Sequence, residues 1–190
     1  MRLLLLGPPG AGKGTQAKRL SARLGVPAIS TGDIFRANIA GGTALGERAR
    51  SYTRAGKLVP DDVTNDMVRD RLAQPDTADG FLLDGYPRTA AQVEALDAML
   101  EAADTGLDAV VQLTAGTEEL VARLLNRAHT EGRDDDTEDV IRHRQDVYLS
   151  ETAPLVDIYA ARGLLVPVDG MGEVDEVTDR LAGALSALEA

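Results

Sequence analysis

RLLLLGPPGAGKGTQA, residues 2–17, runs from an apolar stretch through a glycine-rich turn into the start of a helix. Arg2–Leu6 is a short apolar run ending at glycine, as a buried parallel strand does. Gly7, Gly12 and Lys13 fit the phosphate-loop pattern G-x-x-x-x-G-K. In such a loop the glycines let backbone N–H groups curl around an anion, the helix N-terminus adds its dipole, and the lysine supplies a point charge. The usual pattern continues at once with Ser or Thr, whereas here Gly14 takes that position and Thr15 follows one residue late. The plain alternative is an ordinary Gly-rich strand–helix turn, disfavoured because a lysine buried there without an anion is costly.

Outward from the loop, the pattern alternates strand and helix. A helix is expected from Lys13 to about Leu24, with Ala17, Leu20 and Leu24 on its inner face, and a short strand over Val26–Ser30. Asp33–Ala40, Ala44–Ala55 and Asp61–Ala73 read as helices, punctuated by Gly41-Gly42, Gly56 and Pro60; Asp61 and Asp62 suit the positive end of the third one's dipole. Phe81–Asp84 is a strand, then a helix spans about Ala90–Ala103. Ala109–Leu113 is a fourth strand, and a helix follows from about Thr117 to Arg127. Ala128–Asp136 is polar without a core pattern and reads as a loop. A long helix over about Thr137–Ser150 is kinked or restarted by Pro154 through Tyr159. Leu164–Val168 is the fifth strand and Val174–Leu188 a closing helix. This order predicts one α/β domain over residues 1–190: a five-stranded parallel sheet with helices on both faces, of the P-loop nucleoside triphosphate hydrolase-like class.

Composition narrows the function. The 190 residues suffice for one such domain with a sizeable core. A net charge of −11 argues against a broad nucleic-acid surface. Leu3–Leu6 is too short for a signal-peptide core or a membrane span, so no membrane partner is expected. The absence of cysteine excludes thiolate metal sites and makes a cytoplasmic location the default. Of the 20 basic residues only Lys13, Lys18 and Lys57 are lysines. The preference for arginine is explained as well by a GC-rich genome as by function, so the positions of individual arginines carry the argument.

A phosphate loop needs an acid at the end of a neighbouring strand to hold magnesium through water. FLLDGYPRT supplies Asp84 after three apolar residues. Beside Gly85, Asp84 could also be a strand-end turn residue; next to a phosphate loop the magnesium role is favoured. GPPGAGKGTQA with the late Thr15, STGDIFR at 30–36, GKLVPDD at 56–62 and LLDGYPRT at 82–89 together resemble the adenylate kinase family, in its short-lid form. RDDD at 133–136, VIRHR at 140–144 and TAPL at 152–155 extend the resemblance in colinear order over the full length. In nucleoside monophosphate kinases a glycine commonly follows the loop lysine, so the late Thr15 is a mark of the kind of site and not a defect.

The resemblance implies reversible phosphoryl transfer from MgATP to AMP, giving two ADP, in a cytoplasmic monomer. It assigns Gly10, Ala11, Gly12, Lys13, Gly14, Thr15, Arg123, Arg127 and Gly170 to ATP, with Arg123 stacked on its adenine and Arg127 reaching its phosphates. Thr15 and Asp84 attend Mg²⁺, the one cofactor implied, through water. AMP falls to Thr31, Arg36, Lys57, Leu58, Val59, Gly85, Arg88 and Gln92, on a helical insertion at about 30–59 and the segment after Asp84. Arg36 and Arg88 would grip its phosphate, and Thr31 and Gln92 its adenine; uridylate and cytidylate relatives tend to carry alanine at the position of Thr31. Arg133 and Arg144 would clasp the transferring group, completing a catalytic set with Lys13, Asp84 and Arg88.

Each assignment has a plainer reading. Thr31 can cap the helix that follows, Arg36 and Gln92 can be solvated helix residues, and the charge of Lys57 can be incidental. Arg133 and Arg144 can pair with Asp134–Asp136, Glu138 or Asp139. The lid implied at about 127–137 is short, and without cysteine the four-thiolate zinc site of some long-lid members is impossible, so no zinc is expected; His129 and His143 read as surface residues. Two rivals frame the reading: a kinase acting on UMP or CMP, against which Thr31 and Gln92 argue, and a nucleotide-dependent switch, for which the N-K-x-D guanine reader of GTPases is missing.

Overall fold

A computed structural model describes residues 1–131 and 137–188, with side chains for all of these except 117, 118 and 127–131. Five parallel strands form one sheet: β1 (Arg2–Leu6), β2 (Ala28–Ser30), β3 (Phe81–Asp84), β4 (Ala109–Thr114) and β5 (Leu165–Asp169), in the order β2-β3-β1-β4-β5. The central strand is the leucine run. β1 pairs with β3 on one side, Leu5 opposite Asp84, and with β4 on the other, Leu6 opposite Gln112. Its four leucines are at most 3% exposed, and strand alternation divides them between the two faces. Leu3 and Leu5 join Val111, Leu113, Leu20 and Leu181 in one core; Leu4 and Leu6 join Leu83, Val110, Leu96 and Tyr159 in the other. A continuous hydrophobic run is what a strand covered on both sides requires.

The helices are α1 (Lys13–Leu24), α2 (Thr31–Ala40), α3 (Ala44–Arg54), α4 (Asp61–Leu72), α5 (Ala90–Ala102), α6 (Thr117–Glu131), α7 (Glu138–Val147), α8 (Leu155–Ala161) and α9 (Val174–Ser186). α1 and α9 cover the first core and α5 and α8 the second, so the expected α/β layering is present. A third, smaller core of Phe35, Ala49, Val59 and Val63 lies among α2, α3 and the start of α4, with Met67 packed against both it and the second core.

Four expectations about the elements change. The stretch from Ala128 to Glu131, read as loop, continues α6; it contains no glycine or proline, and helix needs no apolar face where it leaves the core. α2 begins at Thr31, not Asp33, and its cap is Ser30, whose hydroxyl accepts the Asp33 N–H at 3.3 Å, so Thr31 is freed from capping. β2 starts at Ala28 because Pro27 lacks an N–H, although its carbonyl still accepts from Leu82. The long helix ends as α helix at Val147 and passes through a π turn, Tyr148–Thr152, before Pro154 leads into α8.

Candidate functional site

The glycine-rich loop joins β1 to α1 at the carboxyl ends of the strands, where open parallel sheets bind ligands. Gly7 sits at φ 147°, and a Cβ there would come within 2.6 Å of the Leu113 carbonyl oxygen, so only glycine lets the loop leave β1 against β4. Lys13 turns back over the loop, its Nζ donating to the carbonyls of Gly7 at 2.7 Å and Pro8 at 3.0 Å. α1 has no acidic residue in its first turn, which leaves the positive end of its dipole uncompensated within the helix. Gly14 and Thr15 are exposed on that turn.

Asp84 ends β3 beside the loop and is 9% exposed. A Cβ on Gly14 would stand 3.5 Å from Asp84 Oδ2, so the residue in the usual hydroxyl position lies against the acid that ends the neighbouring strand. Thr15, one residue on, offers a hydroxyl on the same exposed turn.

Two of the residues expected on the acceptor side meet at the carbonyl of Gly85. Thr31 Oγ1 donates to it at 3.0 Å and Arg88 Nε at 2.9 Å. Gly85 itself is at φ 81°, and a Cβ there would meet Thr31 Oγ1 at 2.9 Å and Arg88 Nη2 at 3.0 Å. The Tyr86–Pro87 peptide that follows is cis. Gln92 is buried on α5: its Oε1 accepts the Arg88 N–H at 2.7 Å and its Nε2 donates to Asp61 Oδ1 at 2.6 Å. Arg36 pairs with Asp33 one helical turn before it. Val59 is buried in the small third core, Leu58 is half-buried, and Lys57 is exposed, with its backbone N–H on the Tyr52 carbonyl.

Arg88 joins the acceptor group to the rest of the site. Its guanidinium is held below the ordinary arginine value, chiefly because protein encloses it; Asp84 opposes that shift, while Arg144 and Arg36 add to it. Arg88 is nonetheless open to solvent by surface area, so the enclosure is that of a cleft wall. Three arginines from different segments thus share one electrostatic neighbourhood with Asp84, a concentration of positive charge in a chain of net charge −11. Arg144 reaches in from α7 and donates to the Thr53 carbonyl at 3.5 Å.

On the other side of the loop, Arg123 is held by Glu119 at 2.9 Å and donates to the Gly170 carbonyl at 3.2 Å. Gly170 in turn donates to the Thr114 carbonyl, and a Cβ on it would lie 3.4 Å from the Ala11 carbonyl oxygen. Arg123, Gly170 and Ala11 are therefore neighbours. The side chains of Arg127 and His129, and Arg133 as a whole, lie outside what the structure describes. His143, expected at the surface, is half-buried on α7, with its Nε2 enclosed and without a hydrogen-bond partner among the described residues. Its neighbours in sequence are charged and gave no sign of the helix face it occupies.

Several supporting residues were not anticipated. Gln145 Nε2 donates to the Pro9 carbonyl at 3.0 Å, tying α7 to the glycine-rich loop. Gln16 is buried and links α1 to α9, donating to the Val174 carbonyl at 3.0 Å and accepting from Thr178 at 2.8 Å. Thr152 Oγ1 donates to the Arg88 carbonyl at 2.9 Å. Asp61 accepts from both Gln92 and Thr89 Oγ1. Gln16, Asp61 and Thr152 lie inside the motif stretches GPPGAGKGTQA, GKLVPDD and TAPL, and Gln145 lies beside Arg144, but none of those stretches shows which distant partner each would take.

Comparison with known proteins gives a consistent result. Residues 5–164 match the family model described as adenylate kinase. A protein of Kocuria rhizophila named adenylate kinase is 66% identical over 184 residues, 97% of this chain and 98% of that one. Proteins of the same name from a Nocardioides species and from Thermobifida fusca are 61% identical over 188 residues and 54% identical over 187. They cover 99% and 98% of this chain, and 98% and 99% of their own lengths.

Proposed function

Because the chain belongs to the adenylate kinase family and transfers a phosphoryl group from ATP to AMP, we propose that the cleft around the glycine-rich loop carries out that transfer with the following division of labour. Gly10–Thr15 wrap the ATP phosphates, and Lys13 leaves its carbonyl partners to meet them. Arg123 lies on the donor adenine, with Gly170 beside it, and Arg127 on the donor phosphates. Thr31, Arg36, Lys57–Val59, Gly85, Arg88 and Gln92 hold AMP, with the two arginines on its phosphate. Arg133 and Arg144 close on the group in flight. The helical insertion at about 30–59 is the AMP-binding part, and its separate small core supports that reading; the lid is the segment at about 127–137.

The donors at the loop fit a magnesium ion bound with ATP. The Asp84 carboxylate and the Thr15 hydroxyl are hard oxygen groups beside the phosphate cradle, the ligand type magnesium takes. When bound, the ion would neutralise charge on the phosphate oxygens. The protein's own share is positioning: Lys13, Arg36, Arg88 and Arg144 bring cations to oxygens on which charge develops, and the loop aligns donor with acceptor. The acceptor phosphate is already ionised, so no general base is required. Closure of the lid would keep water, the competing acceptor, away.

The observation that carries this reading is that Thr31 and Arg88 meet on the Gly85 carbonyl one residue beyond Asp84, whose carboxylate lies against Gly14 of the loop, so the metal and acceptor sides share one cleft. We further propose a cytoplasmic monomer whose ligands are ATP, AMP and ADP, not nucleic acid or membrane. The lack of cysteine and the net charge of −11 support this, and no helix among the described residues is long and apolar enough to cross a membrane. Product analysis after mixing the protein with MgATP and AMP, UMP, CMP or GMP tests the whole. ADP formed fastest with AMP is expected. Faster turnover with UMP or CMP would reassign Thr31 and Gln92, and ADP formed without any acceptor would overturn the closing-lid reading.

A further inference from the structure

Asp61 has no part in the scheme above, yet it sits at the centre of a closed set of hydrogen bonds. It is the first residue of α4, and its two carboxylate oxygens take different partners: Oδ1 accepts from Gln92 Nε2 at 2.6 Å and Oδ2 from Thr89 Oγ1 at 2.9 Å. The Thr89 hydroxyl in turn accepts the Gln92 N–H at 3.2 Å and caps α5. At the other end of the Gln92 carboxamide, Oε1 accepts the Arg88 N–H at 2.7 Å. Gln92 is 2% exposed, so neither end can exchange these partners freely for water.

A primary carboxamide is nearly symmetric in shape, and rotating it by half a turn exchanges its acceptor and donor ends. That ambiguity matters for reading a purine. The six-membered edge of adenine offers an N6 amino donor beside the N1 acceptor; a 6-oxopurine offers the reverse, an O6 acceptor beside an N1–H donor. An unfixed glutamine can satisfy either by turning over. Here it cannot: a carboxylate only accepts and a backbone N–H only donates, so the NH₂ must face Asp61 and the oxygen must face Arg88 N. Turning it over would set oxygen against carboxylate and N–H against N–H in a buried place. One N–H and one lone pair of the carboxamide remain for a base.

We infer that Asp61 is a specificity-determining positioning residue, which fixes the Gln92 carboxamide in the orientation that accepts a 6-aminopurine monophosphate and rejects a 6-oxopurine. The inference rests on the reading that Gln92 faces the acceptor base. The polarity of the pin is set by the negative charge on Asp61, because an amide or hydroxyl in its place can donate as readily as accept.

The test compares kcat/KM for AMP and for IMP, which differ at that edge alone, in Asp61→Asn and Gln92→Leu, with circular dichroism to establish folding. Asp61→Ser, which likewise no longer dictates the orientation, serves if the asparagine variant does not fold. Gln92→Leu should raise KM for AMP. Asp61→Asn should lower the AMP-to-IMP ratio of kcat/KM by about tenfold, the size expected when a buried charge-assisted hydrogen bond no longer selects one partner. A merely structural role would lower both substrates together and leave the ratio unchanged; that result, with Gln92→Leu still impaired on AMP, would overturn the assignment of Asp61 alone. Unchanged KM for AMP in Gln92→Leu would overturn the placement of Gln92 at the base, and the inference with it.

Discussion

Gln145 and Pro9, 136 positions apart, are joined by a 3.0 Å hydrogen bond from the Gln145 amide to the Pro9 carbonyl. The contact fixes the helix that carries Arg144 to the loop that leads into Lys13, so the two ends of the proposed catalytic charge are referenced to each other. Gln145→Leu keeps the volume and removes the donor. The variant should fold normally and lose about fivefold in kcat/KM for ATP, the loss expected of one neutral hydrogen bond worth about 1 kcal/mol. Steady-state kinetics at saturating AMP measure it; unchanged kinetics would mean that Arg144 and the loop are positioned independently.

Gly85 offers a sharper test of the proposed division between acceptor and donor sides. At φ 81° its replacement by alanine is strained, and the new Cβ would press first on Thr31 Oγ1 and Arg88 Nη2, both on the proposed acceptor side. Gly85→Ala should therefore raise KM for AMP by about tenfold or more, with KM for ATP within a factor of about two, since strain of about 1–2 kcal/mol falls on acceptor residues only. Equal effects on both substrates would show that the Gly85 carbonyl organises the whole cleft and not its acceptor half.

What the sequence made legible follows from the range of the interactions. The leucines of β1 announced a two-sided strand because alternation along five residues is a local property. Lys13 and Asp84 were legible because a loop between a strand and a helix, and an acid at a strand end, are each written in one short segment. Gln145 was not, because it acts on an element far away in the chain and carries no local mark; Gln16 and Asp61 stood in legible motifs, but their partners on α9 and α5 are distant and were not. Thr31 was half-legible: its placement after β2 was seen, but only the third dimension shows Ser30 capping the helix while the Thr31 hydroxyl reaches Gly85. The continuation of α6 past Arg127 was missed because absence of a core pattern was read as absence of helix.

Tyr86, two residues before Arg88, makes stability sensitive to high pH. The side chain is fully buried, and its hydroxyl donates to Asn65 Oδ1 at 2.7 Å. Burial raises its pKa above the ordinary 10.0, with the negative charge of Asp61 adding and Arg69 opposing. The folded state therefore keeps a proton that the unfolded state releases. This contribution is fully present below the unfolded value and is lost as pH rises beyond it towards the folded one. The part of the phenolate absorbance that Tyr86→Phe removes should rise together with loss of ellipticity on alkaline titration, and Tyr86→Phe should be less steeply destabilised above pH 10 than the parent. Ionisation of Tyr86 in a fully folded protein would contradict the assignment.

Lys13 has two employments that one variant can separate. Without nucleotide its ammonium braces the loop through the carbonyls of Gly7 and Pro8; with nucleotide it is proposed to meet the phosphates. If bracing were its main task, Lys13→Met would lower stability and leave the chemistry of the surviving folded protein near normal. If neutralising the transferring group is its main task, the loss falls on kcat. That single donor to developing charge is worth about 10²–10³-fold in rate in comparable sites, against about 1 kcal/mol of stability for its bonds to the loop. The expected outcome is therefore a folded protein whose thermal midpoint drops by a few degrees at most and whose kcat falls by about two to three orders of magnitude. Near-parental kcat in a folded Lys13→Met protein would remove the lysine from the reaction and leave it a structural brace.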